Sequence, residues 1–135
     1  PAAQLTPQEA WDHLASDPEA ILVDVRTRAE WTFVGLPDLT SLGKRVVPIE
    51  WTSFPDGAPN PAFLDELRAV VPTEETTVLF LCRSGARSVA AQTAAGAAGY
   101  SRTVNVLEGF EGDVDAHGHR AVNGWKQAGL PWRQG

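Results

Sequence analysis

The only cysteine of the chain, Cys82, opens the stretch CRSGARS, which runs to Ser88. A lone cysteine is commonly a small buried hydrophobe, yet the six residues that follow suggest a different use. Arg83, Ser84, Gly85, Ala86, Arg87 and Ser88 are small, hydroxylated or basic, the types from which a loop makes an anion site. Gly85 lets the chain curl so that successive backbone N–H groups face one point. The thiolate, not the thiol, is the nucleophilic form of cysteine. A helix starting just after the loop would stabilise a nearby anion by about 0.3–1 kcal/mol, and by up to ~2 where it is partly buried. At about 1.36 kcal/mol per pH unit, that dipole alone does not fully ionise a thiol that ordinarily titrates at roughly 8.5. Direct N–H donors and the charges of Arg83 and Arg87 carry the effect further. The loop therefore suits both a thiolate nucleophile and an anionic substrate, with Arg83 to Ser88 as the binding residues.

The elements on either side must hold that loop. TTVLFLC is a uniformly apolar run that reads as a central parallel strand. Cys82 then falls at its carboxyl end, where sites gather in open α/β sheets. ARSVAAQTAAGAAGY reads as a helix of small residues, with Gly99 placed to end it in a left-handed turn. Upstream, LTPQEAWDHLAS opens with Thr6 as N-cap, Pro7 at the first helical position and Glu9 completing a capping box. AILVDVR reads as a buried strand ending near Asp24 and Val25, and Thr27 with Glu30 is spaced to cap a second, short helix. GLPDLTSLG reads as loop, KRVVPIEW as a strand, and TSFPDGAPNP as a turn. NPAFLDELRAVVP reads as a helix capped by Asn60 with Pro61 first inside. RTVNVLEGF reads as a last strand and turn, and HRAVNGWKQAGLPW as a final helix. Strands alternating with helices imply a single α/β domain over residues 1–135 with a mostly parallel sheet.

Composition narrows the function. The 135 residues carry a net charge of −6 without a Lys/Arg run, which argues against nucleic acid or an anionic membrane as the partner. No apolar segment is long enough to span a bilayer. One cysteine excludes an internal disulfide framework and fits a cytoplasmic protein best. The chain opens PAAQL and holds no methionine, which implies a trimmed start, so a periplasmic protein stripped of its signal peptide is also admitted.

CRSGARS after a strand resembles the active-site loop of the rhodanese-like, single-domain thiosulfate sulfurtransferase family. ILVDVRTRAEW is similar to the family's first signature, an Asp-x-Arg after the first core strand, and NVLEGFEGD and GWKQAGLPW are similar to its closing segment. The resemblance implies a three-layer sandwich with a mostly parallel central sheet flanked by helices. It also implies a cysteine, here Cys82, that takes up sulfane sulfur as a persulfide and hands it on. The donor would be a small sulfur-containing anion such as thiosulfate, the acceptor cyanide, a thiol or a partner protein, with no cofactor. Asp24 and Arg26 end the first core strand and could reach the neighbourhood of Cys82 to take part in catalysis; the resemblance implies instead a structural network that fixes strand and loop ends. The family's histidine after its first signature is replaced by Leu36, and EGDVDAHGHRAVNG is longer than the minimal pattern. Cysteine-dependent phosphatases separate Cys and Arg by five residues so that the loop wraps a phosphate. Here four residues lie between Cys82 and Arg87, a shorter loop that suits a sulfur atom on Cys82 better. Arg83 or Arg87 would orient the donor's sulfonate, and Arg87 could equally buttress the loop through a salt bridge.

The remaining candidates admit two readings each. Trp31 and Trp51 follow strand ends and could wall a pocket or fill a core. His117 and His119, near Asp113 and Asp115, have the residue types of a metal site but weak spacing; a solvated loop accounts for them, and no metal is expected.

Overall fold

The computed structural model describes residues 2–53 and 57–134. Its elements run β1 (Ala2–Leu5), α1 (Pro7–Ser16), β2 (Ile21–Asp24), α2 (Arg28–Phe33), β3 (Leu36–Pro37), a 3₁₀ turn (Thr40–Leu42), β4 (Val47–Pro48), α3 (Phe63–Val70), β5 (Val78–Leu81), α4 (Ala86–Ala97), β6 (Thr103–Val106) and β7 (Trp132–Arg133). Five strands form one parallel sheet in the order β1-β6-β5-β2-β4. β3 and β7 pair antiparallel as a separate ribbon.

The side-chain alternation of the strands divides the core into two layers of contact. Leu22, Leu79, Leu81, Val104 and Val106 face Ala10 and Leu14 of α1, together with Phe110, Trp125 and Leu130 from the C-terminal segment. Val23, Val25, Val78, Phe80 and Cys82 face Phe63 and Leu67 of α3 and Ala91 and Ala95 of α4. The result is an α/β sandwich of three layers, with the cysteine on the α3–α4 side. β5 is buried at every position, as expected of a central strand covered on both faces. The alanines let α4 lie close to the sheet, and Gln92 pins it by donating to the carbonyls of Ala3 and Thr103.

Thr6 and Thr27 each cap their helix in a reciprocal box with Glu9 and Glu30. Other expectations are corrected. Helix α3 begins at Phe63, not at Pro61, because Asn60 closes a turn by accepting from Ala62 N–H while its amide donates to Glu50 O and Glu66. The strand read in KRVVPIEW shrinks to Val47–Pro48, although Ile49 and Trp51 still donate to the carbonyls of Asp24 and Val25. Within GLPDLTSLG, Leu36 and Pro37 pair with Arg133 and Trp132. Residues 54–56 of the expected turn lie outside the described residues.

The final helix does not form. Gly124 and Gly129 both have positive φ, leaving too few residues between them to repay helix nucleation. The N–H groups of Trp125 and Lys126 instead donate to Gly109 O and Phe110 O, tying this segment to the turn after β6. The Ala-Ala-Gln-Leu of β1 carries little strand preference of its own, and pairing with β6 makes it a strand. Among the described residues, no helix is long and apolar enough to cross a membrane.

Candidate active site

β5 delivers Cys82 to the carboxyl edge of the sheet, and α4 begins four residues later. Between them Gly85 adopts φ +125°, a conformation that side chains rarely allow. This turn aims Gly85 N–H back at the sulfur, to which it donates at 3.0 Å. Ser88 Oγ lies 3.3 Å from the same sulfur. The Ser88 hydroxyl also reaches Gly85 O at 3.0 Å and donates to Asn105 Oδ1 on β6. The N–H groups of Ala86, Arg87 and Ser88 open α4 and have no hydrogen-bond partner among the described residues. Orphan donors at a helix start favour negative charge beside them.

The outward side of the loop is held by the turn that follows β6. Phe110 N–H donates to Cys82 O at 2.7 Å, and the N–H groups of Glu111 and Gly112 donate to Arg83 O, each at 3.0 Å. The Cys82 and Arg83 carbonyls are thus taken up by residues 110–112, while Gly85 N–H on the other side of the loop donates to the sulfur. Gly109 makes this approach possible, since a Cβ there would come within 2.5 Å of both Cys82 O and the Arg83 carbonyl carbon.

Arg87 is engaged. Its guanidinium makes a two-pronged ion pair with Glu30, at 2.7 and 2.9 Å. Burial pushes the Glu30 carboxyl up, but the Arg87 hydrogen bonds and charge, helped by Thr27 N–H, bring it down to about 2. The same contact, against the cost of burial, raises Arg87 above its ordinary value, with smaller help from the charges of Cys82 and Asp24. Arg83, by contrast, is exposed, and its side chain has no hydrogen-bond or ion-pair partner among the described residues. Both arginines line an open cavity of about 700 Å³ with Thr27, Ala29, Glu30, Phe33, Val34, Thr52, Ser53 and Gly57. Phe33 stands 77% exposed at its rim. Cys82 itself is 1% exposed and does not line this cavity, although its neighbour Arg83 does.

Asp24 and Arg26 are both fully buried. Arg26 donates through Nε and Nη2 to the Asp24 carboxylate at 2.9 and 2.6 Å, and through Nη2 to Gly35 O. Its guanidinium lies over the Phe110 ring at 4.3 Å. This pair thus joins the end of β2 to the turn that grips Cys82 O.

Residues 3–135 match the family described as STR4 middle domain. The chain is 53% identical to the Rv0390 protein from M. tuberculosis, whose crystal structure superposes with a TM-score of 0.92 over 98% of both chains. It is 38% identical over 126 residues to an uncharacterized protein of Rickettsia conorii, covering 93% of this chain and 92% of that one. It is 32% identical over 104 residues to the thiosulfate:glutathione sulfurtransferase of Saccharomyces cerevisiae, covering 76% and 69%. This chain belongs to the STR4 middle-domain family and is a rhodanese-like domain.

Of the expected loop residues, the rhodanese-like domain brings Gly85 N–H and Ser88 Oγ to the sulfur and Arg83 and Arg87 to the cavity, with Asp24 at the end of β2 bonded to Arg26. Trp51 packs edge-on against Phe63 at 5.0 Å and does not line the cavity; Trp31 lines a separate concavity with Arg28, Pro48 and Glu50. His117 and His119 are exposed, and their backbone N–H groups donate to Asp115 Oδ1. Among the described residues, no three His, Cys, Asp or Glu side chains gather as metal ligands. Sequence reasoning missed two site residues. The spacing marks Glu30 as a cap alone and Asn105 as part of a strand, although a polar residue inside TVNV is a visible signal.

Proposed function

We propose that Cys82 is the nucleophile of a sulfurtransferase that accepts sulfane sulfur from a small anion such as thiosulfate and passes it to a thiophilic acceptor. Membership of a rhodanese-like family supports sulfur transfer in general. The observation that carries the finer reading is the convergence of Gly85 N–H and the Ser88 hydroxyl on one buried sulfur at the start of α4. A preorganised donor such as Gly85 N–H favours a sulfur anion without reorganising during reaction.

In the first step the Cys82 thiolate attacks the outer sulfur of thiosulfate. A new S–S bond forms, the old one breaks, and sulfite leaves with its electron pair. Exposed Arg83 supplies the cation that draws in the sulfonate, while Arg87 stays with Glu30 as a brace between α4 and α2. In the second step an acceptor thiolate or cyanide attacks the outer persulfide sulfur, and the electron pair of the S–S bond returns to Cys82. No proton needs to move if the thiolate is already formed, so the site does not require a general base.

One observation favours a second reading of the acceptor. The cavity is much larger than thiosulfate, and its rim mixes Arg83 with exposed Phe33. Such a rim suits an acceptor thiol carried on a peptide or on a partner protein; the yeast relative is named for glutathione.

Incubation with thiosulfate should add one sulfur to the protein by intact mass, and cyanide should then release thiocyanate. Cys82→Ala should do neither; equal behaviour of the two proteins would end the reading. Substantial turnover of an aryl phosphate would overturn the argument from loop length.

A further inference from the structure

Three polar groups surround the Ser88 hydroxyl: Cys82 Sγ at 3.3 Å, Gly85 O at 3.0 Å and the Asn105 amide. A hydroxyl has one proton and two lone pairs. A thiolate, a carbonyl oxygen and an amide oxygen are all acceptors, so only one of the three can receive that proton. While Asn105 Oδ1 takes it, the sulfur goes without. Ser88 and Asn105 are 0% and 2% exposed, so water has little access to supply the difference, and a buried anion left with Gly85 N–H alone is costly.

An asparagine amide has two ends of nearly equal size, an acceptor and a donor. Turned about its last bond, Asn105 presents Nδ2 to Ser88 Oγ. The amide then donates, the hydroxyl accepts on a lone pair, and its own proton is released toward the sulfur.

We propose that Asn105 is a positioning residue for sulfur transfer, which donates to Ser88 and thereby directs the Ser88 hydroxyl onto Cys82 Sγ whenever that sulfur carries negative charge. This rests on the reading of Cys82 as the nucleophile. The sulfur is anionic at two moments, before attack on the donor and again when the S–S electron pair returns to it. Between them, in the persulfide, Sγ is bonded to two atoms and is a poor acceptor, and the Ser88 proton swings back to Gly85 O. The hydroxyl follows the charge, and Asn105 keeps its other side satisfied throughout.

The test reads the sulfur without any sulfur donor, so it can fail independently of the sulfurtransferase assignment. Alkylation of Cys82 by iodoacetamide is followed across pH in wild type, Asn105→Asp, Asn105→Leu, Ser88→Ala and the Ser88→Ala/Asn105→Leu double variant. The charge that reaches the sulfur is Arg87, which is paired with Glu30 and also feels Asp24, the partner of Arg26, while Arg83 next in the chain is exposed; all are retained in every variant. Losing a hydrogen bond to a charged group corresponds to a roughly tenfold slower reaction at neutral pH. Ser88→Ala and Asn105→Leu should each show it, with the rate profile moved to higher pH. Asn105→Asp, which removes the donor and adds a negative charge, should be slower still. In the Ser88→Ala background, Asn105→Leu should add nothing. A wild-type rate for Asn105→Leu, or a further loss in the double variant, would overturn the proposal. Should the Asn105 variants fail to fold, labelled wild-type protein still decides the matter by NMR. The Asn105 side-chain NH₂ should show cross-peaks to the Ser88 β protons and slow solvent exchange, and their absence would count against the proposal.

Discussion

Replacing Glu30 by Gln separates two jobs held by one carboxylate. Glu30 closes the capping box of α2 by accepting from Thr27 N–H, and it clamps Arg87 at the start of α4. Glutamine can still complete a capping box, so Glu30→Gln removes the charge of the clamp and leaves the cap. The carboxyl falls from 4.5 to about 2 on folding. At ~1.36 kcal/mol per pH unit this corresponds to roughly 3 kcal/mol. The two side chains remain 19% and 24% exposed, and solvent screening reduces the figure to about 2 kcal/mol. The folded value lies below the unfolded one, so the contribution is complete above the unfolded value of 4.5 and fades as pH falls toward about 2. Urea unfolding of both proteins over a pH series should therefore show wild type more stable by about 2 kcal/mol near neutrality. The two should converge as the solution approaches the folded-state value. A gap that stays constant down to that pH would refute the ion pair as its source. Sulfur loading should weaken in parallel at neutral pH, because the loop loses its brace to α2.

Two further outcomes follow from the same geometry. Gly109→Ala places a Cβ within 2.5 Å of the Cys82 and Arg83 backbone at φ +65°; it should cost at least ~2 kcal/mol, and thiosulfate-dependent labelling of Cys82 should fall with it. Arg83→Ala removes an exposed cation, so the melting temperature should hold while KM for thiosulfate rises severalfold and loses most of its salt dependence; an unchanged KM would show that Arg83 does not guide the donor.

Local signals were readable where a few consecutive residues decide the outcome. The two capping boxes, the uniformly apolar β5 and the small-residue α4 each express a preference that their own atoms enforce. The C-terminal segment shows the limit. HRAVNGWKQAGLPW has residues compatible with a helix, but the Trp125 and Lys126 N–H groups find better partners in Gly109 and Phe110, which lie well upstream in the chain. β1 fails in the opposite direction, with weak local preference made good by β6. Trp51 shows the same dependence, for whether it walled the site or packed on Phe63 turned on where α3 would lie.

What the sequence by itself determined was the chemistry on offer: one thiol at a strand end, a glycine to turn the loop, and hydroxyl and basic side chains within reach. These follow from residue type and spacing along one continuous stretch. Only the tertiary structure decided which groups are free to use. The ion pair across α2 and α4 commits Arg87 to Glu30 and leaves Arg83 as the exposed cation. Packing β6 beside β5 brings Asn105 to Ser88, and the turn after β6 takes up the Cys82 and Arg83 carbonyls. Each of these depends on long-range pairing, in which one group's hydrogen bond or charge is satisfied by a residue far away in the chain, and no local pattern records that choice.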